Sequence, residues 1–424
     1  MIHTTDKIFS FIAAATACCA PIALASDTEG TYPVCLSAAM QTSITERGNG
    51  LYAQGTILYK FTQNTLTSID ASDPQNLVEL DTIELEPIYL NSLFALDGDI
   101  ACIINEDGAY STFLQIIDIS DPTNMTLSGT FDLQSLGYKL LIPLKMSISN
   151  SIIYTSNVVF DSMPDPDGVL TPDSVLAVDA SDPANPILLG EARGTVEYFL
   201  QSITGSNGYA YVPGFEYGKP DTGERDYGVG IYDTSTTPYF TLVHFIAGFD
   251  QTPAISLRDQ KLYVAGNGLH IYDISDPTTP ALLNSGNIPV GSERLSFSGN
   301  RAVGYREIYN LSNDANPILE HLLQDNSDPD NVIPGFGAEN QYPVIIGNTV
   351  YFVGDGGIAT VNINECDRLC PVDFNTDGSA NYYDVAMFIQ LYAAQDSAAD
   401  LNADGNFNFN DVTAFVDIYS NDCP

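Results

Sequence analysis

The chain has 424 residues with 14 Lys and Arg against 54 Asp and Glu, which gives a formal net charge of −40 at pH 7. That balance excludes nucleic acid and anionic membrane surfaces as partners, because both require a basic footprint on the protein. Only 16% of the residues are charged and 44% are hydrophobic, so a disordered acidic chain is excluded as well. The 24 Tyr, 33 Gly and 24 Pro together indicate a β-rich fold with many turns.

The first element is an apolar run at residues 8–25, which follows Lys7 and ends in the small-x-small triplet Ala23–Ala25. A short apolar run with these flanks is typical of a secretory signal peptide. The alternative is a membrane anchor, but Pro21 interrupts the run and its length barely reaches that of a membrane span. No second run of spanning length follows. We therefore expect residues 1–25 to be a signal peptide and the mature protein to be secreted, extracellular or at the cell surface, with no transmembrane helix.

The middle of the chain repeats a short phrase, Ile69-Asp70-Ala71-Ser72-Asp73-Pro74 in its first clear copy. We call each copy the repeated phrase. Two copies match the phrase only in part, and the seventh lacks the final Asp-Pro pair. Consecutive copies are 37 to 61 residues apart, which is the period of propeller blades. Their key residues are Asp70, Asp118, Asp179, Asp233, Asp273, Asn310 and Asn362.

Residues that favour turns lie before and within each repeated phrase. A Gly- or Asn-centred turn between two β-rich runs precedes it, and its Asp-Pro pair suits the first two positions of a type I turn. Each unit then offers about four short strands, whose sheet buries both faces only by packing against other units in a closed ring. The pattern resembles the LVIVD-repeat family of exported bacterial β-propellers over roughly residues 30–365. We expect a mainly β fold, with a seven-bladed propeller in residues 26–366.

The last blade poses a problem of closure, because the seventh repeat stops without an outer strand of its own. The segment Pro33–Leu36 resembles Pro186–Leu189, where an outer strand begins. We therefore predict that the N-terminal segment supplies the outer strand of the last blade. A Cys35–Cys366 disulfide would then lock the ring. Alternatively, Cys366 pairs within the C-terminal module.

Two twelve-residue loops near the C-terminus, Asp373–Asp384 and Asp400–Asp411, carry oxygen-bearing side chains at positions 1, 3, 5, 9 and 12 and Gly at position 6. Calcium requires six to eight oxygen ligands in a tight loop, and Gly permits the sharp turn. We therefore predict two Ca²⁺ sites, with Ser379 and Asn406 binding through their backbone carbonyls. The predicted ligands are Asp373, Asn375, Asp377, Ser379, Asn381, Asp384, Asp400, Asn402, Asp404, Asn406, Asn408 and Asp411.

A helical pattern follows each loop. Val385, Phe388, Ile389 and Tyr392 share one face of the first helix, and Val412, Phe415, Val416 and Tyr419 share one face of the second. This loop–helix duplication without entering helices resembles type I dockerin, so we expect a small α-helical, dockerin-like domain with EF-hand-type loops in residues 367–424. A Cys370–Cys423 disulfide would staple so small a domain.

The tail departs from cellulosomal dockerins at loop positions 10 and 11. Those domains usually place a Ser-Thr pair there to contact cohesin, whereas this chain has Tyr382-Tyr383 and Phe409-Asn410. A receptor other than an ordinary cohesin is therefore expected, unless these aromatic residues pack between the two loops.

No P-loop, Gly-x-Ser-x-Gly or zinc-ligand spacing is present, and the Asp residues of the repeated phrases suit blade corners better than general acids. Acidic segments Asp161–Gly168 and Asp221–Asp226 suggest long loops on one face. We expect a secreted, non-enzymatic binding or adhesion module for a protein or glycan, attached through the tail to a cohesin-like or other surface receptor. The alternative is an extracellular polysaccharide hydrolase or lyase, since dockerins accompany such enzymes.

Overall fold

The computed structural model describes residues 34–36, 50–62, 64–85, 93–106, 112–136, 140–160, 174–193, 202–217, 225–286, 288, 294–304, 307–324, 343–354, 357–363, 372, 374, 382–395, 399, 401 and 406–421. The chain divides into Met1–Tyr32 and Pro33–Pro424. The first unit, with the predicted signal peptide, lies outside the described residues.

Seven antiparallel sheets follow one another along the chain, and we number them as blades 1 to 7. Blade 1 has β2 (Gly50–Gln54), β3 (Ile57–Phe61), β4 (Thr65–Asp70) and β5 (Val78–Glu84); blade 2 has β6 (Leu93–Asp97), β7 (Ile100–Glu106), β8 (Thr112–Asp118) and β9 (Thr126–Asp132). Blade 3 has β10 (Leu140–Ser149), β11 (Ile152–Phe160), β12 (Ser174–Asp179) and β13 (Ile187–Arg193), and the short 3₁₀ helix Leu133–Leu136 precedes it.

The later blades repeat this plan. Blade 4 has β14 (Thr204–Ser206), β15 (Tyr209–Tyr217), β16 (Arg225–Asp233) and β17 (Thr241–Phe249); blade 5 has β18 (Ala254–Arg258), β19 (Lys261–Gly266), β20 (Gly268–Asp273) and β21 (Ala281–Ser285). Blade 6 has β22 (Ser296–Ser298), β23 (Arg301–Val303), β24 (Glu307–Asn310) and β25 (Ile318–Gln324); blade 7 has β26 (Val344–Ile346), β27 (Thr349–Gly354) and β28 (Gly357–Asn362). In every blade the third strand ends on the key residue of its repeated phrase.

The core lies between blades rather than within any one of them. Seven clusters of buried side chains each join two consecutive blades, so every blade packs on both sides. In the cluster that joins the ends of the series, Leu51 and Ile69 of blade 1 pack with Val344, Tyr351 and Ile358 of blade 7. The first strands of neighbouring blades contact each other at five of the seven blade boundaries, which places these strands innermost. The predicted seven-bladed β-propeller is confirmed.

The predicted origin of the last outer strand is wrong. Strand β1 (Val34–Leu36) pairs in parallel with β25, the outer strand of blade 6, with Cys35 opposite Leu323. Among the described residues blade 7 has three strands. The sequence indicated an edge strand, but the free backbone groups of any outer strand can receive one, so local pattern does not choose the blade. The proposed partners Cys366, Cys370 and Cys423 lie outside the described residues, and both disulfides remain predictions.

The C-terminal residues form two helices, α1 (Tyr382–Ala394) and α2 (Phe409–Asn421). They meet through Phe388 and Phe415, whose stacked rings have centroids 4.4 Å apart, with Phe374 against both. Ile389 and Val416, which we placed on the same helical faces as Phe388 and Phe415, are 59% and 51% exposed, whereas the two phenylalanines are buried. None of the described helices combines the length and apolar character needed to cross a membrane.

The fit between blades is tight at Gly129 of β9, where an added Cβ would lie 1.9 Å from the carbonyl oxygen of Pro183 in blade 3. We expect Gly129→Ala to destabilise the propeller by roughly 1–3 kcal/mol, because the obstacle is backbone rather than a movable side chain. Gly50→Ala is the matched control, since its Cβ would meet only the Tyr52 ring at 3.6 Å. Urea denaturation of both variants measures the difference, and equal midpoints would contradict the tight approach.

Candidate functional site

Six of the seven repeated phrases close the third strand of their blade with a hydrogen bond from a backbone amide to the key side chain. In blade 5, Asp273 Oδ1 accepts the N–H of Ser275 at 2.8 Å. The second Asp of the phrase, Asp276, then accepts the N–H of Thr279 on its carbonyl oxygen at 3.0 Å, which completes a turn through Pro277. The same amide contact recurs at Asp70, Asp118, Asp179, Asp233 and Asn310. These residues therefore fix blade corners, as predicted.

Hydrogen bonds from the amide and hydroxyl groups two residues ahead lower the carboxyl pKa of several of these residues. The backbone amide has the larger effect on the pKa of Asp70 and Asp273, and the side chain of Ser120 has the larger effect on the pKa of Asp118. A general acid at neutral pH needs the opposite shift. These carboxylates are fixed negative charges of the turn face, which is the face that carries the repeated phrases.

A buried tyrosine links most blades to the next one. The first residue of the second strand pairs with the key residue of the repeated phrase, and the tyrosine is the third residue of that strand. The five tyrosines are Tyr59, Tyr154, Tyr211, Tyr263 and Tyr351. Each is at most 1% exposed. Tyr351 donates to the carbonyl oxygen of Ala71 at 3.3 Å, and Tyr263 donates to Asp314 Oδ1 at 3.0 Å. Burial raises the pKa of Tyr351 to about 12, so its phenol remains a donor.

Two blades lack this tyrosine. Register places Cys102 at the position in blade 2 and Val303 at the position in blade 6. Clefts open on the turn face at those same interfaces, one of about 510 Å³ between blades 2 and 3 and one of about 340 Å³ between blades 6 and 7. The link between tyrosine and phrase was missed from the sequence, although a tyrosine preceded by an apolar residue recurs near the start of the second strand in five of the seven blades and was a signal for it.

The two clefts differ in charge. In the smaller cleft, the guanidinium of Arg301 is already engaged in hydrogen bonds within the protein. It donates to both carboxylate oxygens of Glu320 at 2.7 and 2.9 Å and to Asn348 Oδ1 at 2.7 Å. Its hydrogen bonds lower the pKa of Glu320. The larger cleft is lined by Asp97, Asp99 and Asp118. Asp97 accepts the N–H of Asn150 from blade 3 at 2.8 Å, so this carboxylate is held at the blade boundary.

The tail brings together part of the predicted second calcium loop. Asn408 Nδ2 donates to the carbonyl oxygen of Asn406 at 3.1 Å, and the N–H of Asn408 donates to Asp411 Oδ2 at 2.8 Å. Asp411 is fully buried, and its Oδ1 atom has no hydrogen-bond partner among the residues that the structure describes. Of the first loop, Asp384 is described and is also fully buried.

The other predicted ligands lie outside the described residues: Asp373, Asn375, Asp377, Ser379, Asn381, Asp400, Asn402 and Asp404. Within the described part of the chain, no three His, Cys, Asp or Glu side chains converge as a metal site. Of the acidic loop segments, Asp161–Gly168 lies outside the described residues, as does Asp221–Asp226 up to residue 224.

Large apolar side chains are exposed on both tail helices, at matching positions. Tyr382 and Phe409, the first residues of α1 and α2, are each 77% exposed, and Tyr383 is 70% exposed. Seven residues further along each helix, Ile389 and Val416 are exposed as well. The aromatic residues at loop positions 10 and 11 therefore do not pack between the loops.

Comparison with known proteins identifies the repeats. The family model for the LVIVD repeat matches residues 95–133 and 252–287, which fall on blades 2 and 5. This chain carries LVIVD repeats on a seven-bladed β-propeller. No curated protein matches it.

Among solved structures, this chain is similar to a protein from Lactobacillus plantarum. The two share 14% identity with a TM-score of 0.46, and the match covers 66% of this chain and 85% of that one. This chain is also similar to a variant of the Synechocystis apocarotenoid oxygenase, with 10% identity, a TM-score of 0.35, and coverage of 62% and 66%.

The lowered carboxyl pKa values of the LVIVD turns predict acid sensitivity. Their stabilising effect is complete above the unfolded-state pKa of about 4 and is lost as pH falls through the lower folded-state values. Asn310 fills the key position in blade 6, so Asn is compatible with the turn. We expect the variant Asp70→Asn, Asp118→Asn, Asp273→Asn to fold at pH 7 and to lose less stability than the parent between pH 5 and 3. Thermal melting across that range tests this.

The control for that experiment is Glu84→Gln, which removes an exposed carboxylate outside the turns. It should follow the parent curve. If the triple variant does so too, the turn carboxylates do not set the acid response.

Proposed function

We propose that this protein is an exported binding module. Its propeller would bind a ligand on the turn face, and a calcium-loaded tail would attach it to a surface receptor. The observation that carries the proposal is the buried carboxylate oxygen of Asp411, which has no hydrogen-bond partner in the described part of the chain. A buried carboxylate oxygen without a donor or cation carries a large desolvation cost. A bound cation removes that cost.

The donor set fits calcium. Asn406, Asn408 and Asp411 occupy positions 7, 9 and 12 of the predicted second loop, and carbonyl, amide and carboxylate oxygens are the ligands that calcium prefers. Asp384 takes the corresponding position 12 in the first loop and is equally buried. Bound calcium would supply positive charge beside both carboxylates. The chain's own contribution is to place each carboxylate in the first turn of a helix, where Asp411 also accepts the Asn408 amide.

The exposed apolar side chains of α1 and α2 support a docking role for the tail. Exposed aromatic residues on a pair of helices that pack against each other are typical of binding surfaces, where such side chains dominate the affinity. Their repetition at equivalent positions of both helices gives the tail two similar docking surfaces. We therefore propose a receptor with an apolar recognition pocket.

A polysaccharide-cleaving role gains no support from the larger cleft. Its carboxylates at Asp97 and Asp118 are hydrogen-bonded to backbone amides, and the pKa of Asp118 is lowered rather than raised. Glycoside hydrolysis needs one carboxylic acid that stays protonated near neutral pH.

Calcium should stabilise the tail by about 3 kcal/mol when the free ion exceeds its Kd by about 100-fold, and EDTA should reverse the effect. We expect titration calorimetry of the full chain to show two calcium ions per wild-type chain and one for Asp411→Asn. Asp417→Asn, which removes the same charge from the same helix outside the proposed ligand set, should retain two. Equal melting with calcium and with EDTA would contradict the calcium assignment.

The docking surfaces can be tested in producing cells. We expect the double variant Tyr382→Ser, Phe409→Ser to shift from the surface fraction to the medium, because losing a buried aromatic anchor costs about 2 kcal/mol or more per side chain. Tyr239→Ser is the matched control, since it removes an aromatic residue of the propeller that is 66% exposed. Retention of the double variant at the surface, or equal release of the control, would contradict attachment through the tail.

A further inference from the structure

The key residues of the repeated phrases change in kind at one place on the turn face. Blades 1 to 5 each end their third strand on an aspartate, whereas blades 6 and 7 end it on Asn310 and Asn362. The cleft of about 340 Å³ lies between these two blades. An amide carries no charge, and it both donates and accepts hydrogen bonds where a carboxylate only accepts them. The chemistry of this cleft therefore differs from that of the acidic remainder of the turn face.

The charged groups at this cleft are already matched within the protein. Arg301, the one charged residue in the described lining, donates to both carboxylate oxygens of Glu320. Glu320 also accepts a hydrogen bond from the Asn310 side chain. Asp314, at the last position of the phrase in blade 6, forms an ion pair with Lys261 of blade 5. Neither sign of charge is therefore in excess at the cleft.

Two polar side chains of the lining are held in place by one hydrogen bond each. Ser298 Oγ accepts the N–H of Gly347 at 2.8 Å, and Asn348 Oδ1 accepts a hydrogen bond from Arg301 at 2.7 Å. Both contacts join blade 6 to blade 7. They leave the hydroxyl hydrogen of Ser298 and the Nδ2 group of Asn348 as oriented donors for a ligand.

Two further polar side chains of the lining are unengaged. Asn300, in the hairpin between β22 and β23, and Ser312, in the phrase of blade 6, are exposed and form no hydrogen bond through their side chains with the described part of the chain. Among the described lining residues none has an apolar side chain. A ligand would therefore be held by hydrogen bonds rather than by apolar burial, and it must bring several groups that donate and accept.

We propose that the cleft between blades 6 and 7 binds a neutral sugar, as one or two residues of a glycan. Sugar hydroxyls both donate and accept hydrogen bonds, as amide and hydroxyl side chains do. The volume of about 340 Å³ lies at the lower end of the range of roughly 300–1,000 Å³ that ligand pockets span. Ser298 and Asn348 donate to the sugar, and Asn300 and Ser312 take either role. This inference rests on the proposed binding role of the turn face and names the class of its ligand.

Neutral disaccharides test the assignment on the full chain by saturation-transfer NMR. The probes are cellobiose, mannobiose, galactobiose and xylobiose, with digalacturonate as the acidic counterpart. We expect at least one neutral probe to bind 1:1 with a Kd on the order of 1 to 10 mM, because each solvent-exposed hydrogen bond contributes little. Digalacturonate should bind about 5-fold or more weakly, because the turn-face carboxylates repel it. No saturable binding by any neutral probe, or tighter binding of digalacturonate, would overturn the proposal.

A peptide probe distinguishes a glycan from a polypeptide ligand. Acetylated and amidated Gly-Ser-Asn-Gly offers similar hydroxyl and amide groups on a flexible chain. We expect it to bind more weakly than the best disaccharide, because ordering a flexible chain costs more conformational entropy than ordering a sugar ring. Tighter binding of the peptide than of every disaccharide would refute the assignment to a glycan.

The double variant Asn300→Ala, Ser312→Ala removes both unengaged side chains. We expect it to keep the melting temperature of the parent and to weaken binding of the best disaccharide by about 5-fold or more, because two hydrogen bonds to the ligand are lost. Thr56→Ala, Ser72→Ala is the matched control, since these residues take the same hairpin and phrase positions in blade 1. It should bind as the parent does. Equal weakening in both variants, or in neither, would contradict a site between blades 6 and 7.

Calcium titration of the same preparation separates two kinds of failure. Two bound calcium ions without sugar binding would overturn the glycan assignment and leave the proposed attachment through the tail standing. Sugar binding without any response to calcium would support the glycan assignment and contradict the calcium-loaded tail.

Discussion

A four-stranded blade has two apolar faces and no means of burying either of them alone, and every other feature of this propeller follows from that constraint. The solution is seven clusters of buried side chains, each shared by two neighbours, with the last joining blade 7 to blade 1. The repeated phrase holds these clusters in place on one face. Its carboxylate fixes the corner of its own blade, and at two interfaces its backbone or side chain accepts a hydrogen bond from a tyrosine hydroxyl of the preceding blade. One short stretch of sequence thereby shapes a blade and joins it to its neighbour.

Much of this architecture was predictable because the signals are local. The positions of Asp70 to Asn362 predicted seven blades, and the third strand of each blade ends at one of these residues. The Asp-Pro pair predicted a turn, and the bond from Thr279 N–H to the Asp276 carbonyl confirms it. Pairing between segments distant in sequence was not predictable in the same way. Cys35 lies in an edge strand, as expected, but on blade 6, because any outer strand offers a similar row of free amides and carbonyls.

The functional surfaces were predictable only in part, and for a related reason. The loop spacing predicts which residues would face a calcium ion, and Asp384 and Asp411, at position 12 of the two predicted loops, are fully buried. A helical period of 3.6 residues placed Ile389 and Val416 near the apolar stripe, but two short helices that meet through one phenylalanine pair cover a narrower stripe than the pattern allows. The clefts arise from exceptions to a repeat. Cys102 and Val303 are informative only once the tyrosine of the other blades is known to cross an interface.

The tail follows β28 in the chain, so under the attachment that we propose any tension on the molecule would enter the ring at blade 7. In the described residues that blade has three strands, and it meets blade 1 through side-chain packing and the bond from Tyr351 to Ala71. Consecutive blades are also joined by the chain itself, whereas blades 7 and 1 are not consecutive. This boundary therefore depends on side-chain contacts and on the pairing of β1, which precedes blade 1, with β25 of blade 6. Under the attachment that we propose, a pulling force on the tail would load these contacts.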